Sequence, residues 1–274
     1  MTSPVDLTRA LAAVPVALPP GRLVGGDDGH HGGGGAPVLW ISEAPAPAGL
    51  WARLHRAHAA TGLWPLLLGA LDDGPDVRPW LSGELDPGYA SDPDLYDPAA
   101  LLRTWWTGGG DSEVEYGDEP ELAAALAPFG LGRPGPAPAV RVPEGAADRA
   151  ARDLADVLES VGAGRRLGLV PAGSGAEALA VCGWSGPVNH EGDTGKIAAV
   201  LADWERRFGA QVVDVGFDTL GLSVPLPPTT VTEALPVAAE HTALCPDLVF
   251  QGAGTLVAYA EQLVGSPRWS FWWD

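Results

Sequence analysis

The sequence predicts a mixed α/β (α+β) chain, with a C-terminal ferredoxin-like βαββαβ sandwich behind an irregular N-terminal α+β region. Three observations predict it. Over the last hundred or so residues, two-residue and 3.6-residue hydrophobic periods alternate in the order strand–helix–strand–strand–helix–strand. A Pro- and Gly-rich run over 129–143, with Pro134, Pro136, Pro138 and Pro143, separates that stretch from what precedes it. A composition of 46% hydrophobic and 19% charged residues over 274 positions supplies enough apolar side chains for a core. The expected division is an N-terminal region at 1–128, a linker at 129–143 and a C-terminal domain at 144–274.

Element by element, residues 4–13 suit a short helix, 16–18 are extended, and 25–35 read as a loop. The apolar run 38–41 is a strand. A helix over 48–60 buries Leu50, Trp51 and Leu54 and leaves Arg53 and Arg56 in water. Residues 63–68 form a buried strand that Pro65 pushes towards a sheet edge. Residues 72–98 are acidic, rich in Pro and Gly, and expected to be irregular. Helices follow at 98–106, with Pro98 in the first turn, and at 121–127. After the linker, a helix over 144–161 carries Leu154, Val157, Leu158 and Val161 on one stripe.

The C-terminal elements open with a strand at 167–170 and a second extended segment at 179–184. Asp193 or Thr194 then caps a helix with Ile197, Val200, Leu201, Trp204 and Phe208 at helical spacing, closed by Gly209. Segments 211–217 and 219–224 are joined tightly enough for a hairpin. Thr230 and Glu233 have capping-box spacing, with Pro236 arguing for a kink or a later start. A helix over 256–264 and an aromatic strand over 268–273 complete the series.

The formal net charge is −19, spread over both halves of the chain and not confined to a tail. Such a field repels nucleic-acid phosphates and anionic membranes and favours basic partners. Fifteen of the sixteen basic residues are Arg, with Lys196 the single Lys, and Ala, Gly and Pro abound, so Gly- and Pro-rich runs carry less information than usual. Two cysteines do not make a disulfide framework and fit a reducing, cytoplasmic setting. The apolar run 10–18 lacks the basic start of a secretory signal, and no run is long enough for a membrane helix.

The segments Gly216-Phe217-Asp218-Thr219-Leu220, Ala238-Ala239-Glu240-His241, Cys245-Pro246-Asp247 and Trp269-Ser270-Phe271-Trp272-Trp273-Asp274 resemble a bacterial domain-of-unknown-function family, number 4253. Thr61-Gly62-Leu63-Trp64-Pro65-Leu66-Leu67-Leu68 and Arg78-Pro79-Trp80 are similar to its actinobacterial members. The resemblance is strongest over 165–274 and implies no activity, cofactor or catalytic set.

Candidate chemistry is sparse. His190 and Asp193, ahead of one helix, together with His241 and Cys245, four apart on another, have the side chains zinc takes, although the spacing is no established metal pattern. The bland alternatives are a capping role for Asp193 and a core thiol at Cys245. Cys182 reads as a buried, inert thiol. Gly183-Trp184-Ser185-Gly186 falls short of a nucleophile elbow, and neither Gly32–Gly35 nor Gly173-Ser174-Gly175 is a phosphate loop.

In the aromatic strand, Trp269, Phe271 and Trp273 share one face and Trp272 lies on the other. Either the first half of the chain covers the exposed set, or it remains as a docking surface. The functional expectation is therefore a non-catalytic, acidic protein-binding module, inhibitor- or immunity-like towards a basic partner. The alternative is a metal-dependent hydrolase or metalloprotein using His190, Asp193, His241 and Cys245, with zinc as the possible metal, and a third possibility is a small-molecule site between the two halves.

Overall fold

A computed structural model describes residues 7–25, 36–71, 77–106, 119–132, 134–161 and 164–274. Along the chain these form α1 (Leu7–Ala12), β1 (Gly21–Gly25), β2 (Pro37–Pro45), α2 (Leu50–Thr61), β3 (Leu63–Leu68), α3 (Pro98–Trp106), α4 (Glu119–Ala125) and α5 (Ala146–Ser160). They continue with β4 (Arg166–Pro171), α6 (Gly175–Cys182), α7 (Thr194–Phe208), β5 (Gln211–Val215), β6 (Thr219–Ser223), α8 (Val231–Leu244), α9 (Leu256–Leu263) and β7 (Arg268–Trp272). Most of the expected loop at 25–35, and part of that at 72–98, lie outside the described residues.

The seven strands make one mixed sheet in the order β1-β2-β4-β3-β5-β6-β7. Strand alternation sends side chains to two separate cores. On one face Leu63 and Leu67 of β3, Leu167 and Leu169 of β4 and Val213 of β5 meet α1, α2 and α5. On the other, Trp64, Leu66 and Leu68 join Val170, Val212, Leu220 and Leu222 against α3 and α6 to α9. The result is helix, sheet, helix: a three-layer α/β arrangement.

The ferredoxin-like expectation is corrected by this topology. The periods of β4, α7, β5, β6, α9 and β7 are as read, but β3 from the N-terminal region enters between β4 and β5. It pairs antiparallel with β4 from Leu63–Pro171 to Leu68–Arg166, and parallel with β5 at Leu67–Asp214 and Leu68–Val215. β5, β6 and β7 are then successive antiparallel neighbours, β6 reaching β7 by way of α8 and α9. The boundary at 129–143 thus divides the chain but not the sheet, which draws strands from both sides.

Pro65 is therefore in a central strand and not at an edge. It is tolerated because the ladder to β5 begins only at Leu67. Beside Pro65, side chains complete the polar pairing: Trp64 Nε1 donates to Val212 O at 3.2 Å, and Trp51 Nε1 donates to Pro65 O at 2.9 Å. The extended segment expected at 179–184 is also corrected: 179–182 close helix α6 and Gly183 caps it. Ser174 Oγ caps the first turn by accepting from Glu177 N at 3.1 Å, and Ala176, Ala178 and Ala180 favour the helix. A short, wholly apolar run is the case in which period alone cannot separate strand from helix.

On α5 the buried stripe is Ala151, Ala155 and Leu158, while Val157 and Val161 face solvent. The small alanines let α5 lie close over the sheet. The Pro-rich run after α4 is a docked strap, not a free linker. Ala137 N donates to Glu240 at 2.7 Å, Arg207 donates to Ala137 O at 2.8 Å, and Val140 N donates to Arg207 O at 2.9 Å. Proline leaves such a segment few donors of its own, so it can be held by the two or three it retains.

Candidate functional site

The aromatic strand does not form an open docking face. Trp269, Phe271 and Trp273 are at most 2% exposed and belong to the core. Phe271 stacks on Trp204 of α7 at 5.6 Å between centroids, and Trp269 meets Trp204 and Phe208 edge-on at 5.7 and 5.6 Å. The cover comes from α7 and α8, within the C-terminal half, and not from the first half of the chain. Trp272, on the opposite face, is half-buried.

The four candidate metal ligands are not brought together. His241 is fully buried in α8, its Nδ1 2.9 Å from the Tyr259 hydroxyl and its ring among Trp204, Trp269 and Phe271. Burial pushes its pKa down to about 3, so it is neutral. The Cys245 thiol, buried beside it, donates to Trp272 O at 2.9 Å, and burial pushes it far above the ordinary thiol range. Cys182 is likewise raised by burial, to about 12, which makes both thiols poor nucleophiles.

Asp193 caps α7 and clamps the 89–96 segment. Its Oδ1 accepts from Gly195 N at 2.9 Å and Ser91 N at 3.0 Å, and its Oδ2 accepts from Ser91 Oγ at 2.5 Å and Tyr96 OH at 3.0 Å. Burial raises its pKa, but these donors outweigh it and hold the carboxyl below its ordinary value. His190 packs against the Trp105 ring. Among the described residues, no group of three or more His, Cys, Asp or Glu side chains is placed to hold a metal ion.

A different site emerges from the sheet. β3, β5 and β7 run in the same direction, and at their carboxyl ends lies a cleft of about 620 Å³. The rim beyond strand carboxyl ends is where open α/β sheets commonly hold ligands. Gly83–Asp86, Ser185 and Gly186, Val188 and Asn189, Phe217 and Asp218, and Trp273 and Asp274 line it. Four of these side chains are carboxylates: Glu84, Asp86, Asp218 and Asp274. Glu84 is paired with Arg78; among the described residues Asp86, Asp218 and Asp274 have no ion-pair partner.

Trp184, fully buried, braces the cleft from the core. Its Nε1 donates to Gly216 O at 2.9 Å and Phe217 O at 3.2 Å, fixing the β5–β6 turn, and its ring meets Trp273 edge-on at 5.8 Å. Trp273 N in turn donates to Asp218 O at 3.1 Å, and Asp274 N to Asp247 Oδ2 at 3.1 Å. The far wall is anchored by Asp86 N, which donates to Gly183 O at 2.9 Å. Gly183 ends α6 with φ 69°, and a Cβ there would run into the backbone of Asp86 and Pro87, so both conformation and space call for glycine.

Two large side chains at or near the cleft are exposed. Val188 is 57% exposed, and Tyr89, held one turn from Asp86, is 66% exposed. Sequence reasoning missed this site because its carboxylates come from three separate segments. Its parts are visible in the sequence only for other reasons: Gly216-Phe217-Asp218 and the aromatic ending as part of a family resemblance, the ending also as a surface, and Ser185-Gly186 as an incomplete nucleophile elbow.

No helix among the described residues is long and apolar enough to cross a membrane. No curated protein and no solved structure matches the chain. Residues 166–274, which supply β4 to β7 and all of the cleft lining named above except Gly83–Asp86, match the family model described as Domain of unknown function (DUF4253).

Proposed function

We propose that the protein is a non-catalytic binding module that receives a basic protein partner at the acidic cleft. The observation that carries this reading is the set of Asp86, Asp218 and Asp274, unpaired among the described residues and bordered by exposed Val188 and Tyr89. Charge complementarity of this kind speeds encounter and selects partners, while exposed apolar and aromatic anchors supply most of the affinity. The net charge of −19 adds long-range attraction for cations. An inhibitor or immunity-type protein acting on a basic enzyme in a reducing cytoplasm is the specific form this takes. Two buried cysteines without a disulfide are compatible with that compartment.

The test is a titration of the purified chain with a synthetic basic peptide, with Asp86→Asn, Asp218→Asn and Asp274→Asn combined in one variant. Binding by the native chain should weaken with salt and fall about tenfold or more in the variant. Equal binding by both proteins would remove the cleft from the reading, since the remaining negative surface would then account for all the attraction.

A further inference from the structure

At the edge of the cleft a cation of the chain itself, Arg78, is held between two of the lining residues, Glu84 and Phe217. Arg78 Nε donates to Glu84 Oε2 at 2.8 Å and Oε1 at 3.1 Å, its Nη2 also donates to Oε1, and its guanidinium carbon lies 4.8 Å from the centroid of the Phe217 ring. Glu84 and Phe217 both line the cleft, yet they come from distant parts of the chain, one after β3 and the other in the β5–β6 turn. Their arrangement suits a flat cation with two parallel donors and a stacking face. A guanidinium has these and an ammonium has neither. The side chains of Arg78 and Glu84 remain 42% and 32% exposed, so replacing this guanidinium by another requires no opening of the core.

We propose that Glu84 and Phe217 form an arginine subsite, which Arg78 fills in the free protein and yields to an arginine of the bound partner. Asp86, Asp218 and Asp274 then receive the neighbouring cations of the same segment. This inference rests on the reading of the cleft as a docking site and adds its chemical selectivity. As an internal competitor, Arg78 lowers the affinity for every ligand that needs the subsite and leaves the rest of the cleft untouched. A lysine-rich segment gains the charge of the cleft but cannot reproduce the fork and the stack.

Hexa-arginine and hexa-lysine peptides, followed by fluorescence anisotropy at low salt, separate the two ideas. The full chain is compared with Arg78→Ala and with Arg78→Ala combined with Phe217→Leu. Deleting a positive charge strengthens both peptides alike, so the quantity read is the ratio of the two affinities. That ratio should shift about fivefold towards arginine in Arg78→Ala, the scale of an exposed ion pair plus a cation–π contact. It should fall back in the double variant, which keeps Glu84 but loses the stack.

A ratio that is unchanged or lower in Arg78→Ala overturns the arginine subsite even where both peptides bind and the aspartate variant weakens them. The docking reading would then survive without it. Failure of every protein to bind either peptide overturns both. Should Arg78→Ala not fold, Arg78→Gln provides the same comparison with a side chain of similar reach.

Discussion

Replacing Glu240 by alanine should destabilise the protein by about 4 kcal/mol and release the strap before α5. The Glu240 carboxylate is 1% exposed and accepts four hydrogen bonds: from Ala137 N and Trp204 Nε1, each at 2.7 Å, and from Arg207 at 2.5 and 3.1 Å. Breaking a buried pair by deleting one partner costs about 3–5 kcal/mol. The orphaned N–H groups of Trp204 and Ala137 would each add about 1–3 kcal/mol if independent. They are not independent, and Asp203 still pairs with Arg207 at 2.6 Å, so the sum is held near the middle of the first range. Urea unfolding measures the stability. Trypsin cleavage after the exposed Arg141 measures the strap, because Ala137 is held by Glu240 and by the Arg207 guanidinium that Glu240 pairs, which leaves the bond from Val140 N to the Arg207 main-chain carbonyl as the remaining tie next to Arg141. A loss under about 1 kcal/mol with an unchanged cleavage rate at Arg141 would refute the idea that this carboxylate ties the strap to α7 and α8.

Other perturbations address the pH dependence and the core. Burial and the nearby Asp148 push Glu205 up to about 7, so the folded state holds its proton more tightly than the unfolded state. Stability is then lost as pH rises from the ordinary carboxylate value through 7, and Glu205→Gln should gain about 2 kcal/mol at pH 8 and nothing at pH 4, read by urea unfolding at both. His55, stacked on Trp51 at 4.8 Å, is lowered to about 4, chiefly by burial. Its contribution is complete above the ordinary imidazole value and disappears as pH falls through 4. His55→Phe, which keeps the stack, should therefore flatten the acid limb of the stability profile by about 3 kcal/mol. Phe271→Ala should cost about 3–5 kcal/mol by thermal or urea unfolding, as a core deletion does; a loss under 1 kcal/mol would return this residue to the surface.

How much was legible follows from how local each signal was. The helix over 50–61 buries Leu50, Trp51 and Leu54 as its period requires, Asp193 and Gly209 bound α7, Thr230 caps α8, and the 211–223 hairpin forms as read. Each depends on residues within a few positions of one another. The segment at 179–184 was misread because a buried alanine-rich run has no polar face to betray its period. Zinc ligation was suggested by residue type, but type says nothing about convergence, and His241 and Cys245 became core side chains among aromatic rings.

By itself the sequence determined the charge, the helix caps, the hairpin and the alternation that gives β7 one apolar face. Tertiary structure alone decided that β3 enters beside β5, that α7 and α8 cover Trp269 and Phe271, and that carboxylates from residues 84, 86, 218 and 274 meet in one cleft. The physical reason is range. Backbone hydrogen bonding and hydrophobic period are set within a turn or a strand, whereas strand order is chosen by which apolar faces fit together over the whole chain. A cleft at strand ends inherits its chemistry from that choice.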